Sequence, residues 1–177
     1  VRNNLDVREY LFIDAHNGEL LDQFTGIAHA IDRIVYEGNT NPVNVVWEEG
    51  NALPGSLSDW QQNEVIASEH TYNFFKNAFS YTSYDGADAQ MITINNNPNI
   101  SCPNATWNGF SANYCDGTAS DDVIAHEWGH AYTEYTNNLI YAWQSGAINE
   151  AYSDIWEETI DLLNKYEDTD DDESIRT

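Results

Sequence analysis

Apolar and polar positions change period along the chain, and each change marks an element. Tyr10 to Ala15 and Leu20 to Phe24 are short β-prone runs about Asn17-Gly18, a strong turn pair, and predict a hairpin. From Ala28 to Trp47 short β-prone runs are broken at Gly38-Asn39-Thr40-Asn41-Pro42. After the loop Ala52 to Ser58, helical spacing takes over from about Trp60 to Phe79, with Ser58 or Asp59 as its cap. Val65, Ile66, Tyr72, Phe75 and Phe79 are expected to share its buried stripe, with His70 a structural histidine among them. Gln90 to Ile94 reads as a strand, followed by an Asn/Pro-rich loop from Asn95 to Pro103. Two further helices are expected, at about Asp121–Thr136 and Gly146–Asn164, joined through Tyr141 and Trp143. Strands first and helices last predict an α+β fold, with a β-rich N-terminal lobe and a cleft beside the helices.

The first of those late helices contains His126-Glu127-Trp128-Gly129-His130. Residues four apart lie on one helical face, so His126 and His130 can offer two imidazoles to one ion, with Glu127 beside them as a base. Ser120 is placed as an N-cap, and Asp121 and Asp122 set negative charge at the positive end of the helix. Gly129 is a poor helix former, which suggests close packing there. Two histidines at this spacing can equally be a satisfied pair in a core. The next helix tips the balance, because it supplies Glu150, a third ligand for a catalytic zinc that keeps one position open. One turn later, Asp154 is placed to orient a ligating imidazole from outside.

Charge narrows the partners. The 177 residues carry 30 acidic and 6 basic side chains, a net charge of −24. That field argues against nucleic acid and anionic membranes as partners. The dense run Glu167 to Glu173 reads either as a solvated tail or as a source of calcium ligands. No apolar run approaches the length of a membrane span, and the N-terminus lacks a signal-peptide pattern. Cys102 and Cys115 are the only cysteines. They suggest one disulfide closing a short loop, worth roughly 3 kcal/mol in the chain-entropy model, or else two thiols in a reducing compartment.

Several words in order resemble the thermolysin family of secreted neutral metalloproteases. They are Thr71-Tyr-x-x-x-Lys-Asn77, Ser83-Tyr-Asp-Gly86, Asn104-Ala-x-Trp-Asn-Gly109, Ala125-His-Glu-x-x-His-Ala131, Leu139-Ile-Tyr141 and Ser145-Gly-Ala-Ile-Asn-Glu-Ala-x-Ser-Asp-Ile155, spread over about residues 60 to 163. Phe12-Ile-Asp-Ala-x-x-Gly-Glu-Leu-Leu21 also resembles the end of that family's propeptide. The resemblance implies a pro-segment tail at 1–27, a β-rich lobe with one long helix at 28–120, and zinc-binding helices with an acidic tail at 121–177. It implies zinc on His126, His130 and Glu150, and Glu127 as general base towards the metal-activated water. Tyr141 is then an oxyanion stabiliser, and Asn104 and Ala105 hold an extended peptide along the cleft edge. Thr106 stands where the family usually has an aromatic residue, which weakens that last assignment. Asp122 and Asp161 match residues that help build a calcium site.

The expected activity is endopeptidase cleavage on the amino side of apolar residues, by a secreted protein acting as a monomer. Its expected partners are protein or peptide substrates, its own propeptide and a C-terminal lobe. Family domains continue for more than a hundred residues, with a histidine and an arginine that serve catalysis, so this piece is expected to bind zinc but cleave poorly. Two other readings compete: an aminopeptidase-type zinc enzyme, and a non-catalytic acidic fragment that binds calcium and zinc.

Overall fold

The computed structural model of the chain describes residues 9–13, 18, 20–25 and 31–164. Asn17, the expected boundary at 27 and 28, and the acidic run Glu167 to Glu173 lie outside them. By its contacts the chain divides into two compact units, 1–30 and 31–177.

The first unit holds the hairpin. Strands β1 (Glu9–Ile13) and β2 (Leu20–Thr25) pair antiparallel, with a bulge between Phe12 and Ile13.

The second unit is built on a five-stranded mixed sheet. Its strands are β3 (Arg33–Glu37), β4 (Val45–Glu48), β5 (Met91–Asn95), β6 (Ala105–Trp107) and β7 (Ala112–Tyr114), in the order β4-β3-β5-β7-β6. The central pairs β3–β5 and β5–β7 are parallel, and the flanking pairs β3–β4 and β7–β6 are antiparallel. Buried Met91 and Ile94 on β5 and Val35 on β3 supply apolar side chains to the core. The strands β6 and β7, three residues each, carry no alternation that a sequence could reveal.

Helix α1 (Asp59–Phe79) starts at a reciprocal capping box: Ser58 Oγ accepts from the Gln61 N–H, and Gln61 Oε1 accepts from the Ser58 N–H. Its buried apolar stripe is Val65, Ala67, Tyr72 and Phe75. Two of the expected members depart from it. Ile66 is half-buried, and Phe79 is 56% exposed, because it closes the helix at the rim of the core. There its ring lies against those of Phe74, Phe75 and Trp156.

Helix α2 (Asp121–Asn137) packs against α1 and α3 (Trp143–Asn164). Ser120 occupies the N-cap position, but its side chain makes no capping bond. Asn138 ends α2 in the left-handed conformation, and its N–H reaches the carbonyls of Thr133 and Glu134. Helix α3 begins at Trp143, three residues earlier than its sequence pattern suggests. Fully buried Ile124, Ala125, Trp128 and Ala131 pin the inner face of α2 to the core. No helix among the described residues is long and apolar enough to cross a membrane.

Candidate metal centre

One inner and one outer face of α2 do different work. Ala125, Trp128 and Tyr132 point into the core, where Trp128 lies against Tyr84 and Trp107 at ring separations of 5.7 and 5.6 Å. His126 and His130 stand on the other side, their rings 4.7 Å apart and edge to face. Opposite them runs α3. The two helices approach closely because Gly129 has no side chain: a Cβ there would sit 3.1 Å from Ser153 Cα and 3.2 Å from its Oγ. The sequence cost of a mid-helix glycine is thus explained by helix packing.

This close crossing brings Glu150 between the imidazoles. Its Oε2 lies 3.2 Å from His126 Nε2 and 3.4 Å from His130 Nε2. Both rings have their other nitrogen engaged. His126 Nδ1 donates to Glu157 Oε2 at 2.6 Å, and His130 Nδ1 donates to Asn149 Oδ1 at 2.7 Å. With the ring protons on Nδ1, both Nε2 atoms present lone pairs to a carboxylate oxygen. Three electron-rich atoms aimed at one point repel unless a proton or a metal cation stands among them. Two ligands at about 2.0–2.1 Å from a tetrahedral ion stand roughly 3.3–3.4 Å apart, so the spacing of this triad fits such an ion.

Glu127 is buried beside the pair and lines the same cavity. Burial pushes its carboxyl above the usual carboxylate range. The imidazoles of His130 and His126 and the backbone N–H of Trp107 pull it back, while Glu150 adds to the rise. In the metal-free protein burial opposes the His126 imidazolium, but the hydrogen bond and charge of Glu157, with Glu127 and Glu150, more than offset it and raise the pKa.

The cavity over these residues has a volume of about 730 Å³. Its far wall is β6 and the turn after it, from Asn104 to Gly109, so Asn104 and Ala105 face the same space as His126 and His130. Strand β6 pairs with β7 on one side, and it is the last strand of the sheet. The Cys102–Cys115 disulfide and the bonds from Cys115 N–H and Thr118 Oγ1 to the Asn104 carbonyl anchor its start. Tyr141 lines the cavity too, 66% exposed, its ring 6.0 Å from that of His130.

Asp154 lies near His126 as well, its Oδ1 3.2 Å from Nδ1. Asp122 and Asp161 join no convergent group of three acidic or histidine ligand atoms among the described residues. Asn149, Glu157 and Glu134 were not singled out in the sequence. Asn149 adjoins Glu150, and Glu157 sits seven residues beyond it on the same helical face, a spacing that could have revealed it. Glu134 Oε2 accepts from Trp107 Nε1 at 2.6 Å and ties the cavity's far wall to α2.

Residues 38–134 match the family model described as the thermolysin metallopeptidase catalytic domain. The chain belongs to the thermolysin metallopeptidase family. It is 33% identical over 141 residues to the extracellular elastase of Staphylococcus epidermidis, covering 71% of this chain and 27% of that protein. It is 37% identical over 125 residues to thermolysin of Alicyclobacillus acidocaldarius, covering 59% of this chain and 22% of that protein. Among solved structures, the precursor of protealysin, a metalloproteinase from Serratia proteamaculans, superposes with a TM-score of 0.67 at 26% identity. That match covers 76% of this chain and 44% of the protealysin precursor. The chain thus spans only about a quarter of the length of each of these two relatives. Membership of this family implies zinc, and the His126, His130 and Glu150 triad is a site with the donors to hold it.

Proposed function

We propose that this chain carries the metal centre and one cleft wall of a secreted zinc endopeptidase. The observation that carries the reading is the convergence of two imidazole lone pairs and a Glu150 oxygen next to the buried carboxyl of Glu127. Zinc held there by His126, His130 and Glu150 would supply an activated water and polarise a peptide carbonyl. Glu127 would take the proton from the attacking water and pass it to the leaving amine, a role suited to a carboxyl that burial raises above its ordinary value. An extended peptide would lie along β6 by Asn104 and Ala105, using the free edge of the sheet. Tyr141 would swing its exposed hydroxyl towards the developing oxyanion. Cleavage on the amino side of apolar residues follows from the resemblance.

The same reading takes residues 1–27 as the end of a pro-segment, 28–120 as the β-rich lobe and 121–177 as the start of the helical lobe. The division of the chain at residue 30 and the likeness to a protealysin precursor support it. The disulfide suits export, and one relative is named an extracellular elastase. Calcium at Asp122 and Asp161 rests on the resemblance alone. Family membership disfavours the aminopeptidase alternative.

The test is metal content after dialysis. Wild type should retain one zinc per chain, and Glu150→Ala should bind it at least about 100-fold more weakly, beyond the 10–100-fold typical of an outer partner. Equal zinc in both would reject the triad. Against peptides the 177-residue chain should turn over poorly, and rapid cleavage abolished by Glu127→Ala would show that it needs no further residues.

A further inference from the structure

Two carboxylates lie at the Nδ1 atom of His126, and one ring proton cannot serve both equally. Glu150, Asp154 and Glu157 stand at i, i+4 and i+7 on α3, so all three project from one face towards α2. Asp154 Oδ1 is 3.2 Å from Nδ1 and its side chain is 63% exposed. Glu157 Oε2 is 2.6 Å away, forms the hydrogen bond, and its side chain is 23% exposed. Water competes with Asp154 for that proton and screens its charge, whereas Glu157 acts at shorter range and in a drier setting. The rotation of α3 that aims Glu157 is fixed on both sides. Fully buried Ser153 is seated on Gly129, and Trp156 packs edge-on against Phe75 at 5.3 Å.

We propose that Glu157 is the principal positioning residue of the metal centre, holding His126 as the Nδ1–H tautomer with its Nε2 lone pair towards Glu150. Asp154 contributes charge from the solvent side and is secondary. Such a carboxylate fixes the ring's orientation and raises the basicity of the ligating nitrogen. The inference rests on the zinc reading for its purpose, though the tautomer it assigns belongs also to the metal-free chain whenever its His126 ring is neutral.

The experiment compares wild type with Glu157→Ala, Glu157→Gln and Asp154→Ala, each checked for helix content and melting temperature. Long-range proton–nitrogen correlations of the histidine rings, without metal and at a pH high enough to keep the His126 ring neutral, report its tautomer. The Nδ1–H form should persist in Asp154→Ala and be lost in Glu157→Ala. Chelator competition then gives zinc affinity. Glu157→Ala should weaken it by about 10–100-fold and Asp154→Ala by less than about threefold. Glu157→Gln keeps an acceptor oxygen and should recover much of both signals, which a merely packed side chain in the alanine variant would not predict. Equal or greater loss in Asp154→Ala, or an unchanged tautomer in Glu157→Ala, would overturn the assignment. A wild-type chain that binds no zinc but holds the tautomer through Glu157 would sink the metal reading and leave this one standing.

Discussion

Among the described residues of the second unit, two clusters of acidic side chains are arranged in opposite ways. At the metal centre the amide of Asn149 and the carboxylate of Glu157 take the imidazole protons, so that lone pairs converge on Glu150. In the other cluster, at the ends of β3 and β5 beside α1, amides stand between the acids. Asn95 Nδ2 donates to both Glu37 Oε2 at 3.0 Å and Asp116 Oδ1 at 3.1 Å, while Asn96 and Gln61 donate to Glu37 as well. Glu64 is fully buried among them, and among the described residues neither of its oxygens has a hydrogen-bond partner. Among the described residues, the groups of three ligand atoms that converge are built on His126, and the Glu64 cluster forms none. Concentrating carboxylates is therefore not enough to make a cation site. Convergence selects a metal, and dispersal around a buried carboxyl selects a proton as the counter-charge.

The strongest way to break this contrast is to force α2 and α3 apart. Gly129→Ala places a methyl against the backbone of Ser153, and neither helix can give way without moving its ligands. A loss of about 1–3 kcal/mol of stability is expected, read as a fall of several degrees in melting temperature. Saturating zinc, which should raise the melting temperature of wild type, should recover less of it in this variant. Full recovery would mean that the triad tolerates a wider crossing than the close packing implies.

A finer cut removes one of the groups that direct the imidazoles. Asn149→Ala leaves all three ligands in place but takes away the acceptor for His130 Nδ1. Zinc affinity should fall by about tenfold, at the lower end of the range for outer partners, because the lost acceptor is a neutral amide. Glu64→Gln, in the other cluster, should leave zinc affinity unchanged. Loss of zinc there would mean that the two clusters are coupled, against the contrast drawn above.

How far all this was legible from the residues differs element by element. The convergence of His126, His130 and Glu150 was readable because helical spacing is rigid: all three are fixed by two helices whose periodicity is plain. Long helices and the strand at Met91–Asn95 were readable for the same reason. The strands β6 and β7 were not, since three residues cannot display a period and are held by pairing to distant chain. The hydroxyl of Ser120 has the right chemistry for a cap, yet it makes no bond there, because local chemistry alone does not set a rotamer. Glu157 could have been found by extending the i, i+4 logic by one more turn. Glu64 could not, because its peculiarity lies in having no partner, and only the packed structure displays that.

The smallest expected effect tests the proton side of the contrast. Burial, then the charges of Glu37 and Asp116, hold the Glu64 carboxyl well above its ordinary value of 4.5 in the folded chain. Below that value the group is protonated in both the folded and unfolded states and costs nothing. As pH rises past it, the unfolded chain releases the proton while the folded chain keeps it, so Glu64 lowers stability progressively up to its folded pKa. Glutamine cannot ionise and removes this penalty. Wild type and Glu64→Gln should therefore melt at nearly the same temperature near pH 4. The variant should melt at a higher temperature than wild type near pH 8, the gap opening as pH rises. A gap that is constant with pH would mean that Glu64 is ionised in the folded protein and has a partner. A cation bound there would give that result, and adding calcium or sodium salts to wild type would then raise its melting temperature while leaving Glu64→Gln unmoved.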